Sequence, residues 1–237
     1  MTRDKVFAAI DATWPAAEKA TVGAFTIRRG DGGGKRVSAA TLEGQMQLAD
    51  LAQAAAAMTA WGQDPLFMVR PGEEALDARL AEEGYRTLDP TNGYCLAIDR
   101  LTGIPLPRVT TFCVWEPLAI MDEIWQQGGI GAERRAVMTR AGVKTGILAR
   151  WNEKPAGAAF AALHGDTCMV HAVEILPEQR RQGVAQWVMR AVAFWAQKQG
   201  ASYIAVLCTE ANTPANKLYS SLGFGRVGQY HYRYKAA

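Results

Sequence analysis

The run Thr167-Cys168-Met169-Val170-His171-Ala172-Val173-Glu174-Ile175-Leu176-Pro177, with Arg180-Arg181-Gln182-Gly183-Val184-Ala185 after it, decides how the chain folds. Cys168 to Ile175 is apolar and β-branched and closes at Leu176-Pro177, which reads as a buried strand. From Val184 the apolar residues recur at Val188, Ala191, Val192 and Trp195, the spacing of one helix face. Gly200 falls where a left-handed C-terminal cap is expected. The hexad is therefore a strand-to-helix junction. Gly183 lets the backbone approach a ligand closely, the first helical amides lack partners, and Arg180 and Arg181 flank them, an arrangement suited to a phosphorylated ligand. A basic residue before a glycine is also an ordinary helix start, so the turn alone leaves both readings open.

Tyr203 to Cys208 reads as a second apolar strand. It is followed by Asn212-Thr213-Pro214-Ala215-Asn216-Lys217-Leu218-Tyr219-Ser220-Ser221-Leu222-Gly223-Phe224. An Arg/Gln-x-x-Gly-x-Gly/Ala turn after a strand ending Val/Ile-x-Pro, then Asn-x-x-Ala-x-x-Leu-Tyr-x-x-x-Gly-Phe, resembles the GCN5-related N-acetyltransferase superfamily. The resemblance covers Val109 to Tyr234 fully and the first hundred residues weakly. It implies an α/β fold, a mixed and mostly antiparallel sheet flanked by helices. It also implies acetyl-CoA as cofactor and direct transfer of acetyl to a primary amine of a small molecule or peptide in a ternary complex.

At 237 residues, 49% of them hydrophobic, the chain suffices for one large domain or two of ordinary size. No window approaches the ~18 apolar residues of a membrane span, and the start lacks the apolar stretch of a secretory signal. A cytoplasmic protein without a membrane partner is expected. Cys95, Cys113, Cys168 and Cys208 are isolated and read as buried free thiols, and His164, His171 and His231 lack metal-ligand spacing. A net charge of +3, with the signs interspersed, argues against nucleic acid.

Leu101 to Arg108, with two prolines and a glycine, is the expected boundary, dividing the chain into 1–103 and 108–237. The first part reads as a hairpin, Phe25–Arg29 with Arg36–Thr41, around Gly30-Asp31-Gly32-Gly33-Gly34-Lys35. That loop lacks strand-to-helix context, which favours a plain hairpin loop over a phosphate cradle. A helix over Glu43–Trp61, a strand over Leu66–Arg70, a helix over Glu73–Glu83 and a strand over Tyr94–Asp99 follow. Val69 to Gly84 nearly matches Leu207 to Gly223 in length, and an aromatic follows each glycine. The N-terminal part thus reads as a degenerate copy of the C-terminal one. It has no Arg-x-x-Gly-x-Ala and no counterpart of Tyr219 within Leu76–Leu80, so its expected work is to cover apolar surface and wall a cleft.

In the C-terminal part, strands are expected at Val109–Trp115, Lys144–Trp151 and Ala156–Leu163, and helices at Pro117–Gln127 and Ala132–Thr139. The resemblance makes Val173, Glu174 and Ile175 the pantetheine edge, and a backbone amide of this segment the oxyanion donor. Arg180, Arg181, Gln182, Gly183, Val184 and Ala185 hold the diphosphate. Tyr219 is expected to bind the cofactor and protonate the leaving thiolate, since a phenol of pKa about 10 stays protonated where a thiol of about 8.5 develops charge. Asn212 either caps the next helix or binds the cofactor.

Where many members carry a strand glutamate as base, this chain has Met169. His171 lies on the same face by period two, and Glu174 lies on the other unless a bulge turns it; either is a possible base, and Glu174 equally an amine anchor. Trp115, Asp122 and Trp125, with Met121, Glu123 and Met138, are the substrate-side residues, against the plainer readings of core and solvated helix face. A longer acyl-CoA, a hydroxyl acceptor, and a non-catalytic acyl-CoA sensor are the alternatives. Monomer and homodimer stay open.

Overall fold

The computed structural model describes residues 3–46 and 50–235. The N-terminal half contains α1 (Arg3–Thr13), β1 (Glu18–Val22), β2 (Phe25–Arg29), β3 (Thr41–Leu42), α2 (Leu51–Ala60), β4 (Leu66–Val69), α3 (Glu74–Glu82), β5 (Arg86–Ala97) and α4 (Asp99–Thr102). The C-terminal half runs β6 (Thr111–Val114), α5 (Ala119–Gln127), α6 (Ala132–Arg140), β7 (Lys144–Trp151), β8 (Lys154–His164), β9 (Thr167–Ile175), α7 (Val184–Lys198), β10 (Tyr203–Thr209), α8 (Thr213–Ser221) and β11 (Gly225–Tyr234). The fold is the expected α/β type with a mostly antiparallel sheet flanked by helices.

The eight-stranded sheet has the order β4-β11-β5-β10-β9-β8-β7-β6, so the halves interleave. β11 enters between β4 and β5, and β5 enters between β11 and β10. Each half lends a strand to the other through the same device, a helix ended by a left-handed glycine. Gly84 after α3 has φ +85° and Gly223 after α8 has φ +88°, a conformation costing other residues about 1–2 kcal/mol. The parallel contact repeats as well: β9 pairs with β10, and Ala40 pairs with Phe67 of β4. Strands from both sides of the stretch Leu101–Arg108 therefore share one sheet.

Alternation along the strands sends residues to two layers. Val184, Val188 and Val192 of α7 are buried with Ala159, Ala161, Cys168 and Val170 on one face, each large side chain worth about 1.5–3 kcal/mol. Trp125, Val137 and Met138 from α5 and α6 cover Ala158, Phe160 and Ala162 on the other face. There α1 continues the layer, with Val6, Ala9 and Ile10 against Met169 and Ala205.

The N-terminal expectations need four corrections, the first being that the strand expected over Tyr94–Asp99 is Arg86–Ala97, with Asp99 opening α4. β2 pairs along its length with β1, and with β3 only at Phe25 and Thr26, because Lys35–Val37 close into a 3₁₀ turn instead of a strand. The helix expected over Glu43–Trp61 is Leu51–Ala60, started by Asp50, whose side chain accepts the Gln53 amide; residues 47–49 of that expectation lie outside those described. α1 was not expected at all. Cys95, Cys168 and Cys208 are buried free thiols, whereas Cys113, on the short outer strand β6, is exposed.

Candidate active site

Leu176 and Pro177 end β9 and lead through a 3₁₀ turn into the start of α7. Arg181 and Gly183 have φ +63° and +81°, and no side chain caps the helix. The first α7 amides with a backbone acceptor are those of Gln186 and Trp187, both on Gly183 O at 3.0 and 3.4 Å. The amides before them have no backbone acceptor, which with the helix dipole suits an anion. Arg180 Nε donates to Ile175 O at 2.9 Å, Gln182 Nε2 donates to Glu178 O at 3.0 Å, and Asn152 Nδ2 donates to Gln182 Oε1 at 3.2 Å. Three side chains thus brace the turn, and Arg181 is exposed at its tip. The donor set fits a diphosphate.

Beside this turn the sheet opens. β9 and β10 pair from Thr167↔Tyr203 to Val170↔Val206 and no further, although β9 continues to Ile175 and β10 to Thr209. At the point of separation β9 bulges. Phe160 faces His171 while Ala158 faces Glu174, so β9 carries one extra residue, and Ala172 takes φ +51°. The extra residue restores Glu174 to the face of His171, the condition that simple alternation withheld.

His171 is buried and both its nitrogens are engaged. Arg36 Nη1, which can only donate, lies 3.1 Å from Nδ1; Nε2 lies 3.0 Å from Thr13 Oγ1, which itself donates to Ala9 O at 2.6 Å. The ring is therefore the neutral Nε2–H tautomer. Burial and then the charge of Arg36 hold its pKa well below the usual histidine value. With its lone pair on a guanidinium, His171 does not suit the base role expected of it.

Glu174 has the opposite character. It is half-buried, and burial raises its pKa while Arg180 and Arg134 oppose the rise. Its carboxyl group lies against Gly128 at the end of α5: a Cβ at Gly128 would stand 2.5 Å from Glu174 Cδ and 2.8 Å from Oε2.

Tyr219 is 6% exposed and packs on Tyr94 and Phe224, both at 5.8 Å between ring centroids. Burial raises its pKa, so it stays a phenol. Asn212 caps α8 by accepting the Ala215 amide at 3.2 Å, which assigns it the capping alternative. Asn216, not singled out in sequence, ties the layers together: Tyr94 Oη donates to its Oδ1 at 2.8 Å, and its Nδ2 donates to Thr209 O at 2.9 Å.

A cavity of about 300 Å³ lies where β9 and β10 part, and the N-terminal half supplies much of its wall. Lys35, Arg36 and Asp89 line it opposite Arg134, His171 and Thr209. Trp115, Asp122 and Trp125 do not line it, and neither do Glu174 and Tyr219, which lie beside it. Trp125 is fully buried and donates Nε1 to Ala172 O at 2.9 Å; Asp122 pairs with Arg135 at 3.2 Å; Trp115 packs on Phe160 beneath Lys144. All three have structural partners. The signal for Arg36 was its neighbour, the glycine loop, which holds no helix start but closes over the cleft.

Splayed strands, a bulged central strand and an uncapped helix start define a GCN5-related N-acetyltransferase fold. Residues 112–224 match the profile of the acetyltransferase (GNAT) family, the superfamily that the sequence resembles. It is 25% identical over 240 residues to an uncharacterized N-acetyltransferase, YobR, of Bacillus subtilis (strain 168), covering 94% of this chain and 95% of that one. A GCN5-related N-acetyltransferase from Kribbella flavida shares the fold with a TM-score of 0.75 at 16% identity, over 100% of this chain and 97% of the other. A tandem GNAT protein from the clavulanic acid biosynthesis pathway superposes with a TM-score of 0.63 at 14% identity, over 96% and 86% of the two chains. Among the described residues no helix is long and apolar enough to cross a membrane, and no cluster of three or more His, Cys, Asp or Glu side chains is placed to hold a metal ion.

Proposed function

We propose that the chain is an acetyl-CoA-dependent N-acetyltransferase, working in the cytoplasm, that acetylates a primary amine by direct attack in a ternary complex. The observation that carries this reading is the opening of β9 from β10 beside the uncapped start of α7. Acetyl-CoA, when bound, supplies an acetyl thioester. The amides of Gly183, Val184 and Ala185, with Arg181, hold the diphosphate. The unpaired edge of Val173–Ile175 receives the pantetheine amides, and an amide at the bulge faces the charge that develops on the thioester oxygen. Removing one such donor in hydrolases costs about 2.7–4 kcal/mol.

Glu174 takes a proton from the attacking amine and Tyr219 returns one to the departing sulfur. Their raised pKa values suit both tasks, giving a carboxylate more basic than usual and a phenol that keeps its proton. The N-terminal half acts as cover and wall.

Calorimetric titration of acetyl-CoA, desulfo-CoA and ATP, followed by thiol release across an amine panel, tests the reading. Acetyl-CoA and desulfo-CoA should bind alike and more tightly than ATP, and Arg181→Ala should weaken both by about ten-fold. Unchanged affinity in that variant would remove the phosphate turn from the site.

A further inference from the structure

We propose that the acceptor is a small amine that also carries a carboxylate, a compound of the amino-acid class, and that Arg36 receives that carboxylate. This rests on the acetyl-transfer reading and names the acceptor for the same cleft.

The argument begins with an uncompensated charge. Arg36 lies in the wall of the 300 Å³ cavity, and its Nε is buried without a hydrogen-bond partner. The groups around its guanidinium are His171 on Nη1 at 3.1 Å and the hydroxyls of Tyr230 and Tyr232. None of the three is a carboxylate: His171 presents a ring lone pair, and the two tyrosine hydroxyls lie 3.4 Å apart and hydrogen-bond to each other. Buried charges in proteins are paired, because an unpaired ion loses hydration and regains nothing. No carboxylate lies within ion-pair distance of Arg36, which is part-buried, among the described residues, whereas Arg28, buried on β2, has Asp11 at 2.7 Å.

The rest of the cavity has the same sign. Lys35, Arg36 and Arg134 line it, and its one lining carboxylate, Asp89, is engaged by Lys35 at 2.6 Å. An anion is the complement that the lining lacks. At about 300 Å³ the space is at the small end of ligand pockets, which run from about 300 to 1,000 Å³, and it suits a metabolite better than a folded chain.

The cleft also fixes the polarity of the acceptor. Glu174 is not in the cavity lining, but it lies on the same face of β9 as His171, which lines the cavity and touches Arg36, the pair standing opposite Ala158 and Phe160. Two positions along β8 at about 3.3 Å each separate them by ~7 Å. A carboxylate at Arg36 therefore places an amine a few atoms away toward Glu174, the proposed base.

N-acetylalanine and N-acetylalaninamide, product-like probes that differ only in the carboxylate, are titrated into the intact protein by calorimetry. The acid should bind at least about ten-fold more tightly than the amide. Arg36→Gln should abolish that preference. Arg134→Gln, at an exposed side chain whose loss leaves the fold intact, should reduce it. Thermal melts verify folding, and if Arg36→Gln does not fold, the wild-type preference and Arg134→Gln decide. Equal binding of the two probes, or a preference untouched in the folded variants, overturns the assignment. Thiol release with alanine and with ethylamine separates the two readings. Turnover of ethylamine alone overturns the carboxylate site and leaves acetyl transfer standing. A carboxylate preference in binding without any acetyl-CoA affinity sinks acetyl transfer and retains the site.

Discussion

Trp125 Nε1 donates to the carbonyl oxygen of Ala172 at 2.9 Å, and the bulge of the central strand hangs on that contact. Ala172 sits at φ +51°, where a residue with a Cβ is strained, so something must hold it. The fully buried indole does so from α5. Trp125→Phe keeps most of the volume but removes the donor from a part-buried carbonyl, at a cost of about 1 kcal/mol. A bulge freed to relax turns Glu174 away from the cleft. The expected result is a lower melting temperature together with a loss of about ten-fold or more in kcat/KM. A variant that melts early yet acetylates normally would show that the bulge does not position the base.

Gly128 offers a test of Glu174 that spares the carboxylate itself. A methyl group there would occupy the space of Glu174 Cδ and Oε2, but Gly128 has no left-handed backbone to strain, and a glutamate tip moves cheaply. Gly128→Ala should therefore leave the melting temperature within about 2–4 °C of wild type, a change of order 1 kcal/mol for a chain of this size. It should nevertheless depress kcat. Normal turnover would place the acetylation chemistry away from Glu174.

The pH profile gives a second handle on the same residue. Burial raises the Glu174 pKa, and only the carboxylate can act as base, so kcat/KM should fall on the acid side around a pH above the ordinary glutamate value of about 4.3. Glu174→Gln should remove that limb and lower the rate by about 10²–10⁴. For stability the sign is opposite. A carboxyl with a raised folded pKa favours the fold while protonated, and that contribution is lost as pH rises through the folded pKa. At alkaline pH Glu174→Gln should therefore melt no earlier than wild type. An earlier melt would identify Glu174 as a structural ion-pair partner.

The C-terminal elements were legible because they combine clear periodicity with strong punctuation. Leu176-Pro177, Gly183, Gly200 and Gly223 mark the ends of β9, α7 and α8, and Lys144–Trp151 was read to the residue. The site was legible where backbone makes it, as in the phosphate turn. Side chains were harder. Trp125 and His171 carry chemistry-bearing groups, yet their partners, Ala172 O, Thr13 and Arg36, come from elements distant in sequence. α1 escaped because its buried stripe of Val6, Ala9 and Ile10 is short and gains definition only against β9 and β10. The strand exchange was invisible for a similar reason: the repeat of Gly84 and Gly223 announces two hairpin-like arms, but nothing local says that each inserts into the other half.

That exchange is secured at its outer edge by Asp77 of α3 and Arg233 of β11. Arg233 Nε and Nη2 donate to the two carboxylate oxygens at 2.7 and 3.0 Å, and His231 Nε2 lies 2.6 Å from Oδ1. The hydrogen bond from Arg233 holds the Asp77 pKa below its usual value. Asp77 is only partly shielded from water, so a contribution of about 1 kcal/mol is expected from this bidentate contact. A carboxylate with a depressed folded pKa stabilises above its unfolded value of about 3.9, and the effect is lost as pH falls through the folded one. Asp77→Asn should lower the melting temperature by about 2–4 °C at neutral pH, with the gap from wild type closing on acidification below about pH 4. Hydrogen exchange should then report faster opening of the β11 amides paired with β4, while those of β7 and β8 keep their protection. Uniform acceleration across the sheet would mean that the two halves unfold as one unit and that Asp77 does not guard the inserted strand.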